Sequence, residues 1–192
     1  MKWIAMSLGA LSLAVCAVLG YRSLTRSRGN HRADTDDIDG GVVTRRWDDV
    51  PKEIESDEIV SFHCEISLFA VCDVDDLGHR VYKLDAVASE GLVTVKYSWR
   101  ERDGKRGKGE YTAENDFMAR LQMIVAAHNL AKYNGYYHRV SGLPDMYGES
   151  LDITYASGES IYANDNQSGF LPIRAVRELI VHFGAATETE NE

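Results

Sequence analysis

The sequence contains few prolines and few cysteines, three of each among 192 residues. Scarce proline, together with a hydrophobic share of 44% and a charged share of 27%, excludes a collagen-like, low-complexity or wholly disordered chain. Cys64 and Cys72 stand eight residues apart in one predicted strand, about 26 Å when extended, which is beyond disulfide reach. We therefore predict a folded domain in which both of these thiols are free.

Acidic residues are absent before Asp34, whereas Lys2 and four arginines lie in that segment. All 30 acidic residues and 16 of the 21 basic residues lie from Asp34 onward, so the negative charge belongs to the body of the chain. An acidic body repels phosphate backbones, and we predict no nucleic-acid partner.

An uncharged, largely hydrophobic run extends from Trp3 to Tyr21. As a helix it would span about 28 Å, close to the hydrocarbon thickness of a bilayer, so we predict a single-pass signal anchor in the cell membrane. Two alternatives involve cleavage, either with lipidation at Cys16 or by an ordinary signal peptidase. The arginines after the run favour a cytoplasmic body under the positive-inside rule.

Alternating hydrophobic residues between Val60 and Cys72 predict a first strand with one buried face. The other predicted elements are strands over 81–88, 93–99, 151–155 and 161–163, a helix over 114–133 and a last helix near Pro172. Their order, βββαββα, predicts an α+β domain: an antiparallel sheet of about five strands with two helices packed on one face.

Composition divides the chain into four parts. We predict a membrane anchor with its basic flank over 1–32, an acidic flexible linker over 33–56, the α+β domain over 57–184 and a disordered tail over 185–192. The linker is polar and interrupted by glycine, and it lacks sustained periodicity.

Motifs that would identify a reaction are missing: the sequence has no G-x-S-x-G, P-loop, G-x-G-x-x-G or H-E-x-x-H. Asp73–His79 resembles the opening of a calcium loop, but Leu77 and Leu84 occupy ligand positions. Strand alternation sends His63 and Cys64 to opposite faces, which argues against a zinc site. We therefore assign no catalytic residue, no metal site and no cofactor.

The region that most suggests a binding site runs from Tyr111 to Tyr162 and contains seven of the ten tyrosines. The outer ends of the second hairpin place the loops 142–149 and 164–169 side by side. Aromatic faces with nearby amides bind sugars and peptides, although the same residues can serve helix–sheet packing and loop stability. The candidate ligand-binding residues are Tyr147, Asp145, Asp165, Asn166, Gln167, His138 and Arg139.

One basic cluster interrupts the acidic body between the third predicted strand and the first helix. It consists of Arg100, Arg102, Lys105, Arg106 and Lys108. Such a cluster can meet phosphate or lipid headgroups, but intervening acidic and glycine residues favour a solvated hairpin.

The segment 128–172 and the helix that follows it contain distinctive motifs: NGY at 134–136, GLP at 142–144, SGE at 157–159 and DNQ at 165–167. With them, the region from Ile59 to Phe183 resembles an uncharacterised family of membrane-anchored or secreted bacterial domains. The resemblance implies a bacterial origin and favours an extracytoplasmic body, and it implies no catalytic residue.

The sequence favours a binding module at the membrane, whose partner is a polar ligand or an envelope protein. A hydrolase or transferase that uses His138 with Asp145 or Asp165 is one alternative, although no motif supports it. A structural assembly module is the other.

Overall fold

A computed structural model describes residues 41–69, 77, 79–114, 116–143 and 147–186 of the chain. These residues form eight β-strands, two α-helices and one 3₁₀ turn. The strands are β1 Val42–Arg46, β2 Ile59–Ser67, β3 Val81–Ser89, β4 Leu92–Arg100, β5 Arg106–Glu114, β6 Tyr136–Val140, β7 Glu149–Tyr155 and β8 Ser160–Asp165. The helices are α1 Asp116–Ala127 and α2 Ile173–His182, and the 3₁₀ turn is Leu130–Tyr133.

All eight strands belong to one sheet, in the order β1-β6-β8-β7-β2-β3-β4-β5. Neighbouring strands are antiparallel except β6 and β8, which run parallel. The parallel pair arises because β7 runs opposite to β6, so that its hairpin partner β8, inserted between them, runs along β6. The sheet is therefore mixed, with β1 and β5 at its edges.

The α+β class is confirmed, but the predicted antiparallel sheet of about five strands is wrong in strand number and in direction. The missed strands are β1, β5 and β6, which lie in segments predicted to be linker, loop and irregular chain. Charged residues and glycine give β1 and β5 a weak intrinsic preference for strand. Pairing with distant or already formed strands decides their structure instead.

Gly107 of β5 makes room for the ring of Trp99 on the neighbouring strand. A Cβ atom at position 107 would lie 2.3 Å from two atoms of that ring. The Trp99 ring in turn stacks on His79, with 3.7 Å between centroids and an angle of 4° between planes. In the sequence Gly107 favours a loop. In the structure it belongs to an edge strand and leaves the space that the Trp99 ring occupies.

One face of the sheet is apolar and is covered by both helices. Phe183, directly after α2, packs on Phe62 of β2 with 5.6 Å between ring centroids. Tyr155 of β7 donates its hydroxyl to Gln122 of α1 at 3.1 Å. Alternate residues of β2 point into this core and the others, such as His63, lie on the opposite face, which confirms the predicted alternation.

Two predicted elements end earlier than expected. The first predicted strand, β2, ends at Ser67 rather than at Cys72. Helix α1 ends at Ala127 rather than at Tyr133, because Asn129 adopts a left-handed conformation with φ of 48° and a 3₁₀ turn follows.

No helix in the part of the chain that the structure describes is long and apolar enough to cross a membrane. The predicted anchor at 3–21 and Cys16 lie outside the described residues, as does Cys72.

Candidate functional site

The face of the sheet opposite the helices, here called the open face, carries polar and charged side chains. The strand register places Ser150, Glu65, Lys83, Ser98 and Lys108 side by side on five adjacent strands. Because neighbouring strands lie about 4.8 Å apart, this row is roughly 19 Å long. Two cavities open along it, and the ion pair between Glu65 and Lys83 lies between them.

A network of ion pairs occupies the centre of the open face. The Nδ1 atom of His63 lies 2.6 Å from Asp85 Oδ1. Its Nε2 atom lies 3.6 Å from Glu65 Oε1, to which Lys83 donates at 2.5 Å. Hydrogen bonding to Asp85 and Glu65 raises the pKa of His63 to about 9, and the bond from His63 lowers the pKa of Glu65 to about 2. His63 is therefore a cation at neutral pH and is poorly matched to proton transfer there.

The first cavity, here called the amide–tyrosine pocket, has a volume of about 250 Å³. Two phenols, two carboxamides, a guanidinium and a hydroxyl are part of its lining. They belong to Tyr137, Tyr162, Asn164, Asn166, Arg139 and Ser150. This set combines flat ring surfaces with directional hydrogen-bonding groups, which is the chemistry that sugars and peptides require of a binding site.

The Tyr137 wall of the pocket is supported by the edge strand β1. The ring of Trp47, directly after β1, lies 6.1 Å from the Tyr137 ring. The Trp47 main-chain N–H donates to the Gly135 carbonyl oxygen at 3.1 Å. The segment predicted as linker thus fixes one aromatic ring of the pocket.

Two features shape the opposite wall of the pocket: a close approach of the main chain at Gly148 to that at Asp165, and a side-chain clamp from Asn166 to Val140. A Cβ atom at Gly148 would lie 2.0 Å from the Asp165 carbonyl oxygen, so this position requires glycine. The side-chain amide of Asn166 accepts from Val140 N–H at 2.9 Å and donates to Val140 O at 3.0 Å. The clamp fixes the end of β6 and with it the neighbouring Arg139.

Asp165 fastens the loop that follows β8 rather than facing solvent. The residue is 2% exposed, and its carboxylate accepts from the main-chain N–H groups of Gln167 and Ser168, both at 2.9 Å. The hydroxyls of Tyr136 and Ser168 donate to its other oxygen at 2.9 and 2.8 Å. Burial acts to raise the pKa of Asp165, but these hydrogen bonds outweigh it and lower the pKa.

Glu149 fastens the same loop from the other strand of the hairpin. Its Oε2 atom accepts from the main-chain N–H groups of Phe170 at 2.7 Å and Leu171 at 2.6 Å. Burial raises the pKa of Glu149 to about 7, with a smaller contribution from Asp165 in the same direction. The two carboxyl groups therefore organise the chain between β8 and α2.

Three of the predicted site residues meet at the amide–tyrosine pocket: Arg139, Asp165 and Asn166 line it. Arg139 lies on the open face. The carboxylate of Asp165 and the side-chain amide of Asn166 form hydrogen bonds within the protein. Of the three, Arg139 therefore offers a charged side chain on the face where the cavity opens.

The remaining predicted site residues lie elsewhere. His138 is on the face opposite to Arg139, where its Nδ1 atom lies 2.7 Å from Thr44 Oγ1. Tyr147 is 40% exposed, and its ring lies edge-on to that of Phe69 with 6.2 Å between ring centroids. Gln167 follows Asp165 in the loop, and Asp145 lies outside the described residues.

Sequence reasoning missed several residues of the pocket. Tyr137, Tyr162 and Asn164 all lie within the tyrosine-rich region, but their convergence depends on the β6–β8 pairing, which no local pattern reveals. The sequence did contain a signal that Glu149 is buried. Glu149 stands at the same alternate positions of β7 as the buried residues Leu151 and Ile153. A carboxylate on a buried face needs partners, and here it has them.

Within the described ranges, no group of three or more histidine, cysteine, aspartate or glutamate side chains is placed to hold a metal ion. The strand alternation behind the sequence argument is observed: Cys64 is fully buried and free, whereas His63 lies on the open face.

No protein-family model matches this chain, and no curated protein or solved structure is significantly similar to it. The resemblance to a bacterial envelope domain therefore stays a prediction, and the functional argument depends on the geometry of the open face.

Proposed function

We propose that this chain is a membrane-anchored binding module that takes a polar ligand of the sugar or peptide class in the amide–tyrosine pocket. The observation that carries the proposal is the convergence of Tyr137, Tyr162, Asn164 and Arg139 on one cavity of about 250 Å³. A cavity below the usual 300–1,000 Å³ suits one small unit, such as a sugar ring or a short peptide segment.

The pocket is supported by strands and by internally bonded loops. Asn166 fixes β6, and Asp165 and Glu149 fix the chain before α2. A ligand that binds here would not need to order the protein, and this reduces the free-energy cost of association.

Binding has more support than catalysis. His63, the histidine of the open face, is held as a cation by Asp85 and Glu65. The hydrolase or transferase alternative requires His138 to act with a carboxylate, and the Nδ1 contact of His138 is to Thr44. The anchor is proposed from the hydrophobic run at 3–21.

The test compares the native full-length chain in non-ionic detergent with Asn164→Ala, using chitotriose and trialanine as probes. The change removes a side chain of the pocket, and we expect about a three- to tenfold loss of affinity, the value of one hydrogen bond. Ligand-observed saturation-transfer NMR gives the affinities.

Thr154→Ala is the matched control, because Thr154 is on the open face of β7 but outside the pocket. Equal affinity of the native chain and Asn164→Ala for a bound probe would contradict the proposed site. So would an equal loss in the Thr154→Ala control.

A further inference from the structure

The second cavity of the open face, here called the cationic pocket, has a volume of about 610 Å³ and lies over β3, β4 and β5. Four basic side chains line it: Lys83, Arg100, Arg106 and Lys108. The strand register explains their convergence, because Lys108 and Lys83 flank Ser98 and Arg106 pairs with Arg100. No aspartate or glutamate of the described chain belongs to the lining.

Three of these cations have no carboxylate partner in the part of the chain that the structure describes. Among the residues that the structure describes, no carboxylate oxygen lies within 4 Å of Arg100, Arg106 or Lys108. Arg100 contacts an aromatic ring instead, with its guanidinium carbon 6.0 Å from the centre of Phe69. Lys83 is the exception, because it donates to Glu65 at 2.5 Å.

Two lysines next to the pocket are paired with carboxylates. Lys96 pairs with Glu110 at 3.1 Å, and Lys105 lies 3.7 Å from Glu101. Carboxylates are abundant in a chain with a net charge of −9, yet Glu101 and Glu110 of this hairpin lie against lysines outside the cavity. Like charges on adjacent strands repel one another, so a bound anion would relieve a cost that the free protein carries.

The chemistry of the lining favours phosphate over a simple halide. Two guanidinium groups can each present a pair of N–H donors to phosphate oxygens, and two ammonium groups add compact positive charge. The Ser98 hydroxyl provides a neutral hydrogen-bonding group between Lys83 and Lys108. The sheet beneath the pocket is held in place from its other face, where the Trp99 ring packs across Gly107 and stacks on His79.

We propose that the cationic pocket binds a phosphate-bearing anion, supplied either by a phospholipid headgroup or by a soluble phosphate ester or diphosphate. From the sequence we interpret the basic cluster as a solvated hairpin, but the structure divides its five residues into two groups. Arg100, Arg106 and Lys108 join Lys83 at the site, whereas Arg102 and Lys105 lie outside its lining. The inference does not depend on the function proposed for the amide–tyrosine pocket.

Inorganic pyrophosphate is the first probe, titrated by calorimetry into the full-length chain in non-ionic detergent. We expect saturable binding that weakens about a hundredfold in the double variant Arg106→Gln/Lys108→Gln, about tenfold for each charge removed. The control is Arg102→Gln/Lys105→Gln, which makes the same change in net charge on the same hairpin and should alter affinity less than twofold.

Short-chain lipids distinguish the two sources of phosphate. If dihexanoyl phosphatidylglycerol binds and displaces pyrophosphate while dihexanoyl phosphatidylcholine does not, the anion is a phospholipid headgroup. If pyrophosphate binds and neither lipid displaces it, the anion is a soluble phosphate.

Absence of binding by both pyrophosphate and phosphatidylglycerol would overturn the proposal, as would equal weakening in the two double variants. Melting temperatures close to that of the native chain would show that both variants are folded. Both pairs of side chains belong to the exposed β4–β5 hairpin, where substitutions cost little stability.

Discussion

The two pockets of the open face differ in how their polar groups are held. Around the amide–tyrosine pocket, Asp165, Asn166 and Glu149 accept hydrogen bonds from the protein's own main chain and fix the surrounding chain. In the cationic pocket, Arg106 and Lys108 stand on an edge strand, with no carboxylate of the described chain within 4 Å. The first pocket is therefore suited to selection by shape and hydrogen bonding, and the second to selection by charge.

The most damaging change is one that disrupts the core beneath both pockets. Ile66 is fully buried on the helix-covered face, next in sequence to Glu65. In Ile66→Asp, an unpaired buried carboxylate should cost roughly 5 kcal/mol, comparable to the whole stability of such a domain. Thermal and urea unfolding should lose cooperativity, and ligand binding at both pockets should be lost.

Glu65→Ala is the control for this change, because the side chain of Glu65 is 39% exposed on the open face. Loss of its ion pairs should cost less than about 1 kcal/mol. Comparable damage from the two substitutions would mean that the strand faces are assigned incorrectly.

Glu149→Gln should change how the stability of the fold depends on pH, without affecting the cationic pocket. Because burial raises the pKa of Glu149 to about 7 from an ordinary value of 4.5, the native fold loses stability as pH rises from 4.5 through 7. The loss should reach about 3 kcal/mol above pH 7. Glutamine keeps a carbonyl acceptor for Phe170 and Leu171 and should remove this pH dependence.

Urea unfolding of the native chain and of Glu149→Gln at pH 5 and pH 8 measures the effect as a difference of differences. Pyrophosphate affinity should be unchanged in the variant, since Glu149 lies away from the cationic pocket. A native chain more stable at pH 8 than at pH 5, relative to the variant, would contradict the sign.

Gly107→Ala should damage only the cationic side. The added Cβ atom would lie 2.3 Å from the Trp99 ring, and that ring is confined by its stack on His79. We therefore expect the free energy of unfolding to fall by about 1–3 kcal/mol. Pyrophosphate affinity should fall, while binding at the amide–tyrosine pocket should not. In a Trp99→Leu background the same substitution should cost much less, which a double-mutant cycle measures.

The smallest effect concerns His63, in the ion-pair network between the pockets. Its pKa is raised from 6.5 to about 9, so its stabilising contribution is complete below pH 6.5 and is lost as pH rises through 9. Because the side chain is 41% exposed, we expect only about 1 kcal/mol. His63→Gln and Asp85→Asn should each abolish that part of the pH dependence, and an unchanged slope would rule out the network as its source.

Local patterns predicted the parts of the fold that are local. The alternation in β2, the meander through β4 and the start of α2 near Pro172 were readable because their pairing or packing partners repeat at fixed spacing. β5 was missed because Gly107 suits a loop unless the position of Trp99 is known, and β1 because its partner β6 is remote.

The candidate site was predicted only in part, for the same reason. The β7–β8 hairpin, which places two loops together, predicts Asp165 and Asn166, and proximity in sequence adds Arg139; these three residues do line one cavity. The same reasoning could not show that His138 lies on the opposite face or that Tyr137 and Tyr162 approach each other. Both facts follow from the parallel insertion of β8, which is a property of the whole sheet.

That insertion also sets an order of events for the growing chain. The cationic pocket is built from three consecutive strands, β3 to β5, so its strand pairings are local in sequence. The amide–tyrosine pocket needs β2 to find β7, and β1 to find β6, as in the contact between Thr44 and His138, 94 positions apart. Contacts at such separation form slowly. During synthesis β1 is made long before its partner β6, and we expect the wall that Trp47 supports to be among the last parts of the sheet to form.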